Sequence, residues 1–322
     1  MSAHPPSPRQ QRAEANASLE RAAARAGARD RGTSRSNYLV RHWRGDLPLF
    51  AAVAVSALLV WGGVQLVSFA SRRVPLTDYP VAASVLWLIE AALLLTGAVW
   101  WGMGVMRSAM SHGDRGGSVS IALLTGVVGL GAFFWAGAFW MQSARHVLPD
   151  VWATLTGTAL PARVELDRGA GHLVVTGDFE FGTTRAVRAA LAAHRHVRTV
   201  RLESRGGRVA EGLALGRLLV DRGLDTLVTT ECSSACVTAF AGGNQRFITP
   251  QSRLGLHSAG GKGVRAQHID AANRETDQFI AQRGVAWHVL ERGSAVANDS
   301  IWFPESYALL ASGLATEYYG RR

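Results

Sequence analysis

The sequence predicts a chain in three parts: an unstructured basic tail over residues 1–46, three transmembrane helices within 47–144, and an α/β domain over 150–322. Three observations predict it. The first 46 residues are rich in Ala, Arg, Ser and Pro, and they hold almost no large apolar side chains. Such a segment cannot bury enough surface to offset the entropy of ordering it. Three apolar segments follow, each longer than the roughly 20 residues a helix needs to cross a hydrocarbon core about 30 Å thick. Beyond residue 150, short strand-like runs alternate with helical patterns, as βαβ units and a largely parallel sheet require.

The tail comes first. Ala13–Ala28 has the composition of a transient helix, and no fixed structure is expected over 1–46. Leu47–Ala70 is uncharged, Tyr79–Met106 holds a single acid, Glu90, and Val119–Met141 is again uncharged. One such run could be a buried core helix; three in succession joined by short loops argue for membrane crossings. Trp43, Trp61, Trp100, Trp101 and Trp140 lie near segment ends, where amphipathic rings favour the headgroup level. The first run is no cleavable signal peptide, because the stretch before it is too long for an n-region. Glu90 falls mid-segment and is expected to hydrogen-bond a neighbouring helix.

Charge sets the expected orientation. The formal net charge is +10 and the pI near 10.8. Residues 1–46 carry nine arginines against four acids, whereas residues 150–322 contribute only +3. The basicity is therefore not a nucleic-acid footprint on the C-terminal domain. Lys262 is the only lysine, a skew that reads as genomic composition. Arg35, Arg41 and Arg44 stand just before the first segment, so the N-terminus is expected in the cytoplasm. Three crossings then place the C-terminal domain outside the cytoplasm.

In the domain, Arg163–Leu166 and His172–Asp178 read as strands. Thr183–Ala193 reads as a helix, with Val187 and Leu191 on one stripe. Val197–Glu203 is a strand, Val209–Arg222 a helix and Asp225–Glu231 a strand. Ser234–Ala241 is a helix of small residues. Arg246–Thr249 and Arg253–His257 are strands. Arg265–Arg283, Ala286–Arg292 and Pro304–Ala311 are helical.

Three parts of an acyl-transfer site occur in order within this domain. Glu203-Ser204-Arg205-Gly206-Gly207-Arg208 puts a glycine pair just after a strand. Cys232-Ser233-Ser234-Ala235-Cys236 puts serines in a small-residue turn at a helix start. Pro250-Gln251-Ser252-Arg253-Leu254-Gly255-Leu256-His257 ends an apolar run on a histidine. A hydroxyl is a weak nucleophile without a base in reach, imidazole titrates near neutrality, and free backbone N–H groups can hold an oxyanion.

That order resembles the Clp-protease and crotonase-like superfamily, and in particular its membrane-associated or periplasmic serine peptidases, over roughly Ala162 to Tyr319. The resemblance implies a Clp-like domain of repeated ββα units. It implies peptide-bond hydrolysis through an acyl-enzyme, with Ser234 as nucleophile, His257 as base, and the N–H groups of Gly207 (or Gly206) and Ala235 as the oxyanion hole. Counting back from His257 at the family's usual interval without a gap reaches Cys232. A Gly242–Gln245 loop two residues shorter brings Ser234 to that place, and Ser233 is the runner-up. The family's late acid falls in the stretch of Asp299, with Asn298 able to do the same job. Lys262 is a rival base of the Ser–Lys type.

Cys232 and Cys236 are too few for a disulfide scaffold or a four-ligand zinc site. Four residues apart, they could close a disulfide around Ser234 or simply pack. No metal and no cofactor are expected, since the histidines lack ligand spacing and no phosphate-binding glycine loop is present. The expected partners are a peptide or protein substrate, the lipid bilayer and further copies of the chain, with no nucleic acid. Two other functions stay open: a catalytically silent Clp-like assembly or binding module, and a crotonase-type enzyme acting on acyl-CoA.

Overall fold

The computed structural model describes residues 37–260 and 266–320. They fall into two compact units. One holds the residues up to Leu66 with Glu90–Trp140, and the other Val67–Ile89 with Met141 onward.

Four helices precede the α/β domain, their residues divided between the two units. Helix α1 is Tyr38–Arg44, α2 is Ala51–Ser71, α3 is Pro80–Asp114 and α4 is Val119–Thr156. Ala51–Ser71, Pro80–Asp114 and Val119–Gln142 are long and apolar enough to cross a membrane. Leu58, Leu123, Phe134 and Trp135 stand exposed along them, as lipid-facing side chains do.

Helix α1 departs from the expected unstructured tail, most of which lies outside the described residues. Local chemistry explains it. The Asn37 side chain accepts from the Val40 N–H at 3.0 Å, and Gly45 ends the helix at φ 80°. The Trp100 indole N–H donates to the Leu39 carbonyl, and Arg107 donates to that of Trp43. Helix α2 opens with a π-helical turn over Ala51–Val55. Such a turn breaks the regular ladder, and side chains take up the carbonyls. Tyr38 Oη donates to Ala51 O at 3.0 Å, and Trp101 Nε1 to Val53 O at 3.0 Å.

The second unit carries the α/β domain. Strand β1 is Arg163–Asp167, β2 His172–Thr176, β3 Thr199–Glu203, β4 Asp225–Val228, β5 Glu231–Ser233, β6 Arg246–Ile248, β7 Arg253–Gly255 and β8 Glu317–Tyr318. Helix α5 is Thr183–Ala193, α6 Val209–Arg222, α7 Ala235–Ala241, α8 Ala266–Gln282, α9 Trp287–Ser294 and α10 Ser306–Ala311. Six strands form one sheet in the order β1-β2-β3-β4-β6-β8, parallel except for the β1–β2 hairpin. A second, two-stranded sheet pairs β5 with β7. The segments β4–β5–α7 and β6–β7–α8 are thus successive strand–strand–helix units.

The expected single strand Asp225–Glu231 is divided, and the expected helix Ser234–Ala241 begins one residue later, at Ala235. The chain instead leaves the large sheet after Val228, forms β5 in the two-stranded sheet and turns at Ser234. Likewise α4 runs through Pro149 to Thr156, so no break in the helix marks the passage from the third apolar segment toward the domain.

Two features bring α6 and α7 together. All seven residues of α7 are buried. At Gly212 on α6 a Cβ would collide with the Ala235 carbonyl oxygen, so only glycine permits this approach. Glu211, fully buried, fixes the same stretch to α5. Its carboxylate accepts from the Gly182 N–H (2.8 Å), the Thr184 N–H (2.8 Å) and Thr184 Oγ1 (2.5 Å), closing the N-terminus of that helix. Burial raises its pKa, and the Thr184 and Gly182 hydrogen bonds pull the other way.

Glu211→Ala therefore strands three buried donors. It is expected to destabilise the α/β domain by about 3 kcal/mol or more, read as a drop in thermal midpoint, while Glu211→Gln, which keeps an acceptor, is the milder change.

Candidate active site

Ser234 sits where β5 turns into α7, at φ 55° and ψ −127°. It is the single non-glycine residue with positive φ among the described residues. That region is costly for an L-residue and persists only where surroundings dictate it. Here they do. The Ser234 N–H donates to the Gly255 carbonyl at 2.8 Å. On the other side Gly206 closes on it: a Cβ there would lie 2.6 Å from Ser234 Cβ.

The glycine pair is shaped by its own neighbours. Ser204 Oγ accepts from the Gly206 N–H at 3.0 Å, and Ser204 pairs with Cys232 in an isolated parallel bridge. Gly206 and Gly207 take φ 115° and 131°. Gly207 lies against the backbone of Phe179, where a Cβ would come within 2.6 Å of its oxygen. The Phe179 N–H donates to Gly206 O and the Arg208 N–H to Phe179 O, which leaves the Gly207 N–H turned away from that bridge. Neither the Gly207 nor the Ala235 N–H has an acceptor among the described residues. Ala235 opens α7, where first-turn N–H groups are free by helix geometry.

His257 follows β7 and lines one cleft with Ser234 and Ala235, walled by Val209, Leu256, Asn273 and Asp277. The free volume is about 40 Å³, the scale of roughly three waters or one small side chain. No hydrogen bond joins Ser234 Oγ to His257. Such bonds are often loose before substrate arrives. Burial lowers the His257 pKa, opposed by a hydrogen bond with the Ser258 backbone. Burial also raises the pKa of Asp277, against which Ser294 Oγ donates at 2.7 Å.

The remaining candidates separate clearly. Ser233 is fully buried, and its hydroxyl donates to Glu231 Oε1 at 3.0 Å rather than facing the cleft. Cys232 and Cys236 are joined by a disulfide with Cα atoms 5.3 Å apart, so neither is a free thiol. Asp299, expected beside the imidazole, is exposed and accepts from Ser300 Oγ at 3.3 Å. Asn298 stands there instead, its Nδ2 3.4 Å from His257 Nδ1 and donating to Ser258 O at 3.2 Å. The antiparallel bridge between Leu256 and Trp302 sets this register. Lys262 lies outside the described residues. No metal-binding cluster occurs among the described residues.

Sequence reasoning missed Ser204, which shapes the glycine turn; the signal was a short polar residue two positions before Gly206. It also missed Gly255, whose carbonyl anchors the Ser234 N–H.

No family model and no curated protein matches the chain. Solved structures do. ClpP1 from Listeria monocytogenes is 17% identical with a TM-score of 0.41, over 47% of this chain and 92% of that one. A point mutant of that same ClpP1 is 16% identical with a TM-score of 0.40, over 47% and 92%. The ClpP protease catalytic domain from Plasmodium falciparum is 16% identical with a TM-score of 0.38, over 46% and 85%.

Gly206→Ala meets both a positive φ and the Ser234 Cβ. It is expected to displace the serine turn and lower the labelling rate of Ser234 by a fluorophosphonate at least tenfold, the order set by misplacing a reacting group by about 1 Å. An unchanged rate would mean that the turn does not depend on this contact.

Proposed function

We propose that the chain is a membrane-anchored serine peptidase with Ser234 as nucleophile and His257 as general base. The observation that carries this reading is the strained backbone at Ser234. A non-glycine residue is held at φ 55° at a helix start, facing a cleft that it shares with a histidine whose pKa favours the neutral base.

The reaction follows from the geometry. His257 takes the Ser234 Oγ proton as the oxygen attacks a peptide carbonyl. The developing oxyanion is received by the N–H groups of Gly207 and Ala235, with the α7 N-terminus behind them. The imidazolium returns its proton to the leaving amine, and water then hydrolyses the acyl-enzyme by the same route. In this scheme Nδ1 keeps the ring proton so that the other nitrogen can accept, which requires the Asn298 amide to present its oxygen to Nδ1, and Asp299 has no direct part. The substrate is a peptide or protein, the active form is a homo-oligomer, and no cofactor takes part.

The arginine-rich N-terminus and three apolar helices support a cytoplasmic N-terminus and a periplasmic domain. Alkaline phosphatase fused after Arg322 is then active and a fluorescent protein fused there is dark; the reverse pair would put the domain in the cytoplasm.

The missing Ser234–His257 hydrogen bond and the outward-facing Asp299 favour one other reading, a silent domain acting as a binding module. Fluorophosphonate labelling decides between them. The wild type should label and Ser234→Ala should not, at a stability cost under about 1 kcal/mol. His257→Ala should lose as much activity as the serine change, since the two act as a unit.

The pH profile separates the bases. A His257 pKa below the ordinary value of about 6.5 keeps the imidazole neutral into mild acid. The rise of kcat/KM with pH should therefore have its midpoint below about 6.5. A midpoint above about 7.5 would point to Lys262 instead.

A further inference from the structure

The residue after the oxyanion glycines is held from two sides. Arg208 follows Gly207 directly, and its N–H donates to Phe179 O. Its guanidinium forks onto Asp150, with Nη1 to Oδ2 and Nη2 to Oδ1 both at 2.7 Å. Its Nε donates to Glu180 Oε2 at 3.0 Å, and the group lies over the Phe181 ring at 4.8 Å. Glu180 and Phe181 adjoin Phe179, the backbone against which Gly207 is pressed. Asp150 lies on α4, eight residues beyond Gln142, where the third apolar segment ends. Burial works against the arginine's charge, yet the bonds to Asp150 and Glu180 raise its pKa above the ordinary value. A fork of this kind fixes direction as well as distance, which a lysine cannot do.

We propose that Arg208 is a positioning residue for the oxyanion turn and that Asp150 on α4 sets its position. The helix that continues the third apolar segment thereby governs the reactivity of Ser234. The turn has little else to resist rotation. Both glycines have φ values open to many conformations; Gly206 is held by Ser204 and the serine turn, and Gly207 by the Phe179 backbone, whose neighbours Glu180 and Phe181 the Arg208 guanidinium grips. With the fork in place the Gly207 N–H stays turned away from the Phe179 bridge and free to meet an oxyanion. When the fork breaks, it is free to leave that orientation. The proposal rests on the peptidase reading for its consequence in rate, but not for its structural content.

The test uses the full-length chain in detergent, with Asp150→Asn, Arg208→Lys, Arg208→Gln and the swap Asp150→Arg with Arg208→Asp. The first readout is amide hydrogen exchange over Gly206–Arg208, which needs no activity. Exchange there is expected to quicken at least tenfold in Asp150→Asn and Arg208→Gln and to return toward wild type in the swap. The second is hydrolysis of a p-nitrophenyl ester, where kcat should fall on the order of tenfold with KM nearly unchanged and Arg208→Lys should recover only part of it. Exchange in Asp150→Asn equal to wild type would overturn the proposal, whatever the activity. Altered exchange in variants of a wild type that never labels with fluorophosphonate would uphold the positioning role and sink the peptidase reading instead. Should Arg208→Gln fail to fold, Asp150→Asn and Arg208→Lys decide the question by exchange alone.

Discussion

The small sheet of β5 and β7 is the constraint on which the site depends. Its strands are three residues each, but they join three segments that are far apart in sequence. The Ser204 N–H donates to Glu231 O and the Ser233 N–H to Ser204 O, tying β5 to the end of β3. The Ser234 N–H donates to Gly255 O, tying β5 to β7. The glycine turn, the serine turn and the histidine are therefore brought together through backbone bonds alone. Side chains then refine what the backbone has placed.

That arrangement explains why small residues crowd this region. Ser234 cannot relax out of its positive φ because α7 behind it is fully buried and lies directly against α6 at Gly212. The disulfide from Cys232 to Cys236 closes the same turn from below. A ring this short removes little chain entropy. Its effect is local: it joins the residue before the serine pair to the first turn of α7. Glu211 acts at the other end of the contact by tying the start of α6 to α5. Strain at one residue is thus borne by several well-packed contacts, the condition under which strained backbone survives.

Much of this was legible in the sequence because it rests on local patterns. Thr183–Ala193 and Val209–Arg222 match the expected helices end to end, since each has an apolar stripe and a clear stop. The three apolar segments are helices for a different reason: each is a continuous apolar run long enough to span a membrane. The glycine pair, the Ser234 turn and His257 were readable as chemistry in order along the chain. The fold brings Ser234 and His257 to one cleft and sets Gly206 against the serine. Other features depend on register between distant strands, which no local pattern encodes. Whether Asn298 or Asp299 meets the imidazole is decided by the bridge between Leu256 and Trp302. That Ser234 rather than Ser233 lines the cleft depends on how the chain turns after β5. The helix Tyr38–Arg44 was missed because part of its support comes from Trp100 and Arg107, some sixty residues away.

If His257 is the base proposed above, the amide beside it matters. A carboxylate would hold the ring and also stabilise the imidazolium that forms in the transition state. Asn298 can do only the first, and burial further disfavours the charged ring. The Ser258 backbone hydrogen bond partly compensates, because a carbonyl favours a protonated ring nitrogen facing it and so leaves the other nitrogen free to accept. On this account the base is well placed but weakly supported at the moment of charge development. More of the transition-state stabilisation must then come from the oxyanion donors, Gly207 and Ala235. That places unusual weight on the rigidity of the glycine turn, the one part of the site whose backbone is intrinsically free and whose nearest charged clamp is Arg208.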